Sequence, residues 1–199
     1  FRHGIIAGSG FIGMEMAEVL GRLGIKVTQE EKAPQVMPSL DPDVAVWVEK
    51  HLIEKGVKLI LADGLAGMEA SGGGVHTVVT ESGRCLSCEF VVMAFGVRPN
   101  VELAKAAGIE IGDTGAIKVD KYMETNIKEI YAVGDCAESY SRITGRPVYF
   151  PMGSTANKMG RIAGQNMTGK REEFKGVLGT RICKVFDLTV GQTGLTDTE

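Results

Sequence analysis

The chain has 199 residues, 44% of them hydrophobic and 24% charged, with a formal net charge of −3 at pH 7. That is enough chain for one large domain or two small ones, and the composition is that of a globular protein, so disorder is not the starting expectation. No run of lysine or arginine offers a nucleic-acid or membrane-surface footprint, and no apolar stretch approaches the length of a membrane span; neither partner is expected. The sequence is read as starting inside a strand, at Phe1-Arg2-His3, and no signal peptide is expected; without an initiator methionine it points to a piece of a longer polypeptide or to an artificial terminus.

The first element is an apolar strand, Gly4-Ile5-Ile6-Ala7, running into Gly8-Ser9-Gly10-Phe11-Ile12-Gly13. This G-x-G-x-x-G turn gives each glycine a physical task. Gly8 allows the tight turn, Gly10 lets backbone N–H groups approach a pyrophosphate, and Gly13 lets the new helix sit close to the sheet. The anion then lies at a helix N-terminus, where unpaired N–H groups and the dipole favour negative charge. A lone fingerprint also fits an ordinary strand–turn–helix, but here a strand precedes it and a helix follows. An acidic pair, Glu30-Glu31, comes about one βαβ unit later. Glu31, near the end of the second strand (Ile25 to Thr28), can accept from the adenine-ribose hydroxyls and would repel a 2′-phosphate. That favours NAD(H) over NADP(H), and the neighbouring Lys32 would soften the discrimination.

Helix one is expected from Phe11 to Leu23, with Ile12, Met16, Val19, Leu20 and Leu23 as its apolar stripe and Gly24 as its stop. Asp41-Pro42 is a plausible N-cap with proline at the first helical position. Helix two then carries Val44, Trp47, Val48 and Leu52 inward and stops at Gly56. Val57 to Leu61 is the next parallel strand. From there the period changes to two, and short strands flank Gly72-Gly73-Gly74 and Ser82-Gly83. They make an antiparallel meander that ends in Phe90 to Ala94.

The boundary of this first domain, residues 1–97, falls in Phe95-Gly96-Val97-Arg98-Pro99-Asn100. A short helix (Val101 to Ala107), strand-like pieces around Ile109 to Ile111 and Ile117 to Val119, and an apolar strand, Ile130 to Val133, follow. That strand ends in Gly134-Asp135-Cys136-Ala137. A helix is expected from Gly153 to Met167, and Thr180 to Leu195 alternates like two strands joined around Asp187-Leu188. The second half has no glycine fingerprint of its own and too few strands to close a sheet.

The cysteines are Cys85, Cys88, Cys136 and Cys183. Cys85-Leu86-Ser87-Cys88 has the spacing of a redox dithiol or of half a zinc site. No second pair accompanies it, it opens a strand rather than a helix, and His3, His51 and His76 are scattered. The thiols are read as incidental, no metal site is expected, and the protein is placed in the cytoplasm with reduced cysteines.

This string of motifs resembles the pyridine nucleotide-disulfide oxidoreductase family, in its NADH oxidase and coenzyme A-disulfide reductase branch. The likeness rests on Gly8 to Ala17, Val91 to Asn100, Thr125-Asn126 through Ile130 to Asp135, Gly153 to Gly164, and Lys184 to Val190 with Thr193-Gly194-Leu195. These segments follow the family's order over nearly the whole chain. The resemblance implies an α/β protein. A Rossmann-like NAD(H) domain with a parallel sheet and a meander (1–97) is followed by the returning half of an FAD domain (98–174) and the first strands of a dimerisation domain (175–199). The FAD fingerprint and redox cysteine of such enzymes would precede this segment.

Carried over residue by residue, the resemblance implies that Gly8, Gly10, Ile12 and Gly13 belong to the NAD(H) turn. Phe11 would be an aromatic gate over the flavin, or else a plain helix-start hydrophobe. Glu15 would approach the nicotinamide carboxamide, or else be a solvated helix residue, and Gly96 would let backbone pass close to the cofactor. Gly134, Asp135 and Ala156 would serve FAD, with Asp135 accepting from a ribitol hydroxyl unless Gly-Asp is an ordinary turn. Gln29 and Glu30 depart from the apolar residues usual at this point of the family's strand, so the ribose acceptor is Glu31 or, one position off, Glu30. The implied parent passes hydride from NADH to FAD and electrons on to a disulfide, a coenzyme A disulfide or oxygen, works on a small-molecule substrate, and is a homodimer. Alternatives are a flavin reductase serving a small electron-carrier protein, and a non-catalytic NAD(H)-binding module. No catalytic residue is expected within this segment, and alone it is expected to be inactive.

Overall fold

The computed structural model describes residues 1–197. Thr198 and Glu199, the end of the segment expected to begin an interface domain, lie outside the described residues. The chain packs as two compact units, one formed by residues 1–96 with 181–192 and the other by residues 97–180 with 193–195.

The first unit alternates β1 (His3–Ala7), α1 (Phe11–Arg22), β2 (Lys26–Glu30), α2 (Pro42–Glu54) and β3 (Lys58–Ile60). It continues with β4 (Leu65–Ser71), β5 (Gly74–Thr80), β6 (Cys85–Ser87) and β7 (Phe90–Met93). The parallel sheet has the order β3-β2-β1-β7, while β4, β5 and β6 form a separate antiparallel meander. This corrects the expectation that the meander ends in Phe90 to Ala94. After the short Cys88-Glu89 link the chain leaves the meander, and β7 pairs in parallel with β1, Gly4 facing Phe90 and Ala7 facing Met93. A near-continuous apolar run suits a strand covered on both faces, as parallel strands are.

The two faces of β1 show the layering. Ile6 packs with Met14, Ala17, Val48 and Leu52 of the helices. Ile5, pointing the other way, packs with Val78, Cys88 and Leu86 of the meander side. Both helices are ended by glycine in the left-handed region, Gly24 at φ +75° and Gly56 at φ +86°. In each, the following N–H returns to a carbonyl of the last turn, Ile25 to Leu20 and Val57 to Leu52 at 3.0 Å.

The buried helix faces differ from the expected stripes. In α1 the inward residues are Gly13, Met14, Ala17 and Leu20, while Ile12, Val19 and Leu23 are exposed. Small residues let the helix lie close to the sheet, and that proximity decides the face more than hydrophobicity does. In α2 the inward face is Ala45, Val48 and Leu52; Val44 is exposed and Trp47 stands 66% exposed with the Lys50 ammonium 4.8 Å from its ring centroid. Asp41 does precede α2, with Pro42 in its first turn, but its carboxylate makes no bond to the helix and accepts instead from the Asp197 N–H at 2.9 Å.

The second unit holds α3 (Glu102–Ala106), β8 (Ser139–Tyr140), β9 (Pro147–Val148) and α4 (Gly153–Met167), with a single 3-10 turn at Gly134–Cys136. Val101, Ala104, Ile117, Met123, Ala132, Met159 and Ala163 form its core. The expected strand at Ile130 to Val133 does not form. It makes one antiparallel bridge, Tyr131 to Glu124, because no described strand runs alongside to extend it into a ladder. Asn166, buried at the end of α4, ties this unit together. Its Nδ2 donates to the Tyr122 and Glu172 carbonyls, and its Oδ1 accepts from the Glu172 N–H, all within 2.9 Å.

The closing hairpin, β10 (Arg181–Val185) and β11 (Leu188–Gln192), packs with the first unit. Its tip residue Phe186 adopts φ +56° and lies against Gly21 of α1, and its N–H donates to the Glu18 carboxylate at 2.8 Å. Lys55 pairs with Asp187 beside it at 2.7 Å.

Leu52 is fully buried between α2 and the sheet. Leu52→Ala should cost about 2–5 kcal/mol of stability, the transfer term plus the cavity left behind. Urea denaturation followed by circular dichroism measures it.

Candidate functional site

At the C-terminal edge of the parallel sheet the chain turns sharply out of β1. Gly8 leaves β1 at φ +101°, and a Cβ there would overlap the Ala94 carbonyl oxygen just after β7. A Cβ on Gly13 would overlap the Gly8 carbonyl oxygen. Two of the three glycines are therefore required by the protein's own packing. Gly10 is different: nothing lies within 4 Å of where its Cβ would be, and its backbone is in the ordinary extended region. The fold does not demand a glycine there, so the missing side chain leaves open space in front of the turn.

That space faces the start of α1. The helix has no side-chain cap and no acidic residue in its first turn. Its leading N–H groups and the positive end of its dipole are thus presented without a protein anion to satisfy them.

Glu31 follows β2 directly and reaches the turn. Its Oε2 accepts from the Ser9 N–H at 2.8 Å and the Ser9 hydroxyl at 2.7 Å, and its Oε1 accepts from the Ala33 N–H at 2.9 Å. Glu30, the other candidate acceptor, is 1% exposed within β2. Of the two carboxylates, then, Glu31 is the one at the glycine turn. Lys32 points to a different partner, the Glu81 carboxylate at 2.7 Å. Gly96 lies beyond β7 at φ +101° with open space around it. Phe11 is half-buried against the helix-side core, while Ile12 and Glu15 are exposed on α1.

Sequence reasoning missed Ser9, Gln29 and Glu81. Ser9 was legible only as the variable position of the fingerprint. Gln29 is fully buried beneath the turn, and its Nε2 donates to the Gly8 carbonyl at 3.1 Å, bracing the loop from β2. Glu81 belongs to the β5–β6 turn, far along the chain.

Glu30 faces the meander side, where the Leu65 N–H donates to it and one carboxylate oxygen has no protein partner. Burial, and then the charges of Glu31, Asp63 and Glu81, raise its pKa from 4.5 to about 7. Folded protein then holds this proton more tightly than unfolded chain. Below pH 4.5 both states are protonated and the group contributes nothing. As pH rises to about 7 the unfolded chain releases the proton first, and stability falls. Glu30→Gln should therefore gain little at pH 4 and be more stable than the parent by on the order of 2 kcal/mol at pH 8. Urea melts at the two pH values check the sign.

In the second unit, the structure brings together Gly134, Asp135 and Ala156. Gly134 sits at φ +81°, with the position of its Cβ 3.7 Å from that of Ala156 in the first turn of α4. The start of α4 again lacks a side-chain cap or an acidic residue. Nearby, burial and then the charges of Asp135 and Cys136 hold the Tyr149 phenol above its ordinary pKa, and its enclosed Oη has no protein partner. The four cysteines are free, and no group of three or more His, Cys, Asp or Glu among the described residues is placed to hold a metal ion. No helix among them is long and apolar enough to cross a membrane.

Residues 2–160 match the family described as Pyridine nucleotide-disulphide oxidoreductase. The sequence is 42% identical over 196 residues to an NAD(P)H coenzyme A polysulfide/persulfide reductase of Pyrococcus horikoshii, covering 98% of this chain and 43% of that protein. Among solved structures, an NAD-dependent persulfide reductase from A. fulgidus superposes with a TM-score of 0.95 at 42% identity, over 99% of this chain and 36% of that one. An engineered water-forming NADPH oxidase bound to NADPH, made from the Lactobacillus brevis NADH oxidase, superposes with a TM-score of 0.91 at 28% identity, over 99% of this chain and 43% of that one. The chain thus spans less than half the length of the relatives it matches.

Proposed function

The chain belongs to the pyridine nucleotide-disulphide oxidoreductase family, and from that premise we propose that it is the NAD(H)-binding part, with a portion of the flavin-binding part, of an FAD-dependent NADH oxidoreductase. The observation that carries the reading is Gly10: a glycine with no neighbour to accommodate, at the mouth of an uncapped helix, beside a carboxylate. The dinucleotide fits this cradle. Its pyrophosphate would take the N–H groups of Phe11, Ile12 and Gly13, and Glu31 would exchange its bonds to Ser9 for the hydroxyls of the adenine ribose. Each exchange replaces one set of hydrogen bonds with another, so the carboxylate is already oriented when the ligand arrives.

In the second unit, Asp135 and the N–H groups opening α4 near Ala156 would hold FAD, and the unpartnered Tyr149 hydroxyl beside Asp135 fits a polar ligand there. When bound, the nicotinamide supplies a hydride and the flavin accepts it. The contribution of this chain is to bind and orient both groups. For the whole protein we propose a homodimer in the cytoplasm that passes electrons to a small sulfur-containing substrate such as a coenzyme A disulfide, or to oxygen.

The engineered NADPH oxidase carries glycine-to-alanine, aspartate-to-alanine and alanine-to-arginine exchanges, the last two adjacent. Gly13, Glu31 and Lys32 stand at the same spacing, which supports placing the adenine ribose at Glu31-Lys32.

Gly10→Ala tests the reading. A Cβ there meets nothing in the protein, so stability should change by less than about 1 kcal/mol. It would stand in the proposed pyrophosphate path, so NADH affinity should fall at least about tenfold, a loss of roughly 1.4 kcal/mol. Titration by reduced-nicotinamide fluorescence measures the affinity, and unchanged binding in a well-folded variant would overturn the proposal.

A further inference from the structure

We propose that Glu81, in the turn of the meander hairpin, sets the choice between NADH and NADPH by holding Lys32 away from the ribose edge of the dinucleotide site. The inference rests on the dinucleotide reading above and concerns a residue that touches no part of the ligand.

Lys32 is chemically suited to a 2′-phosphate. It follows directly after Glu31, whose carboxylate lies against Ser9 of the glycine turn, so its flexible stem starts one residue from the adenine-ribose position. In the structure its ammonium is bound to Glu81 Oε1 at 2.7 Å. This pair is largely exposed, and such pairs are ordinarily weak because two long side chains must be ordered to form them.

Here the backbone that carries one partner is already held. The Glu81 N–H donates to the Gly64 carbonyl at 2.7 Å. The adjacent Ser82 donates its N–H and hydroxyl to the two oxygens of the buried Asp63 carboxylate, at 2.9 and 2.6 Å. Gly64 also leaves room for the Glu81 carboxyl group, which lies 3.2 to 3.3 Å from where a Cβ would stand. The hairpin tip is thus pinned to the segment following β3, which holds the Glu81 backbone where its carboxylate can meet Lys32.

The other charged groups at this edge act in the same direction. Glu30 and Glu31 come from the end of β2 and Asp63 from just beyond β3, while Arg84 of the hairpin lies 3.5 Å from Asp63. Each cation is engaged by a carboxylate, so a 2′-phosphate arriving here meets negative charge and no available partner. The adenine ribose of NADH carries no such charge and needs only the Glu31 carboxylate.

The experiment titrates NADH and NADPH separately into the 199-residue chain and into Glu81→Gln, Lys32→Met and the double variant, with circular dichroism to confirm the fold of each. The unaltered chain should prefer NADH. Glu81→Gln should tighten NADPH binding roughly two- to fivefold, in keeping with release of one exposed ion pair, and change NADH affinity by less than about twofold. The gain should disappear in the double variant, because the freed lysine is its cause. A gain that persists without Lys32 would overturn the proposal in favour of simple charge removal, and an unaltered NADPH affinity in Glu81→Gln would overturn it outright. Failure of the unaltered chain to bind NADH at all would instead overturn the dinucleotide reading.

Discussion

The close approach of three backbone segments at the end of β1 governs the first unit. Gly8 must turn with positive φ while the Ala94 carbonyl occupies the place of its Cβ, and Gly13 must begin α1 against the Gly8 carbonyl. Because that approach is fixed, α1 runs low over the sheet, and the face it buries is made of Gly13, Met14, Ala17 and Leu20. The same closeness puts Gly21 at the far end of the helix where the ring of Phe186 can rest on it, which seats the terminal hairpin. One turn therefore determines the height of a helix, the composition of its buried face and the docking of an element contributed from the other end of the chain.

The second strand serves the turn at some expense to its own stability. Thr28, Gln29 and Glu30 are buried in a strand position where apolar residues would pack without penalty. Gln29 braces the Gly8 carbonyl from beneath, yet its own side-chain oxygen has no partner. Glu30, on the opposite face, keeps its proton to near neutrality. The paired burdens lie at the end of the strand nearest the glycine turn, as expected where local stability is traded for a shaped and polar edge.

Much of this was legible in the sequence, for reasons that can be named. The glycine turn declares itself because backbone conformation there permits little else, and α4 spans Gly153–Met167 as its pattern indicates. The end of β2 could be located only to within one residue, since adjacent glutamates on a strand point to opposite faces and the sequence does not say which face is which. The placement of β7 was hidden because a short apolar strand fits the edge of a meander and a parallel sheet equally well. The outward turn of Trp47 was hidden for a related cause: Ala45, Val48 and Leu52 define the buried face, and the bulkiest apolar residue lies to one side of it. Glu81 was unreadable because its meeting with Lys32 depends on how the β5–β6 turn is tied to the residues after β3, a long-range arrangement with no local signature.

The position of Trp47 has a spectroscopic consequence. It is the chain's one indole, standing mostly in water on the outer face of α2 beside the ammonium of Lys50. Its emission in the native protein should already resemble that of a solvated tryptophan, with little further red shift when the polypeptide is denatured. An optical assay built on intrinsic tryptophan colour would then report a nearly silent transition, and a cooperative protein would look like one that never melts.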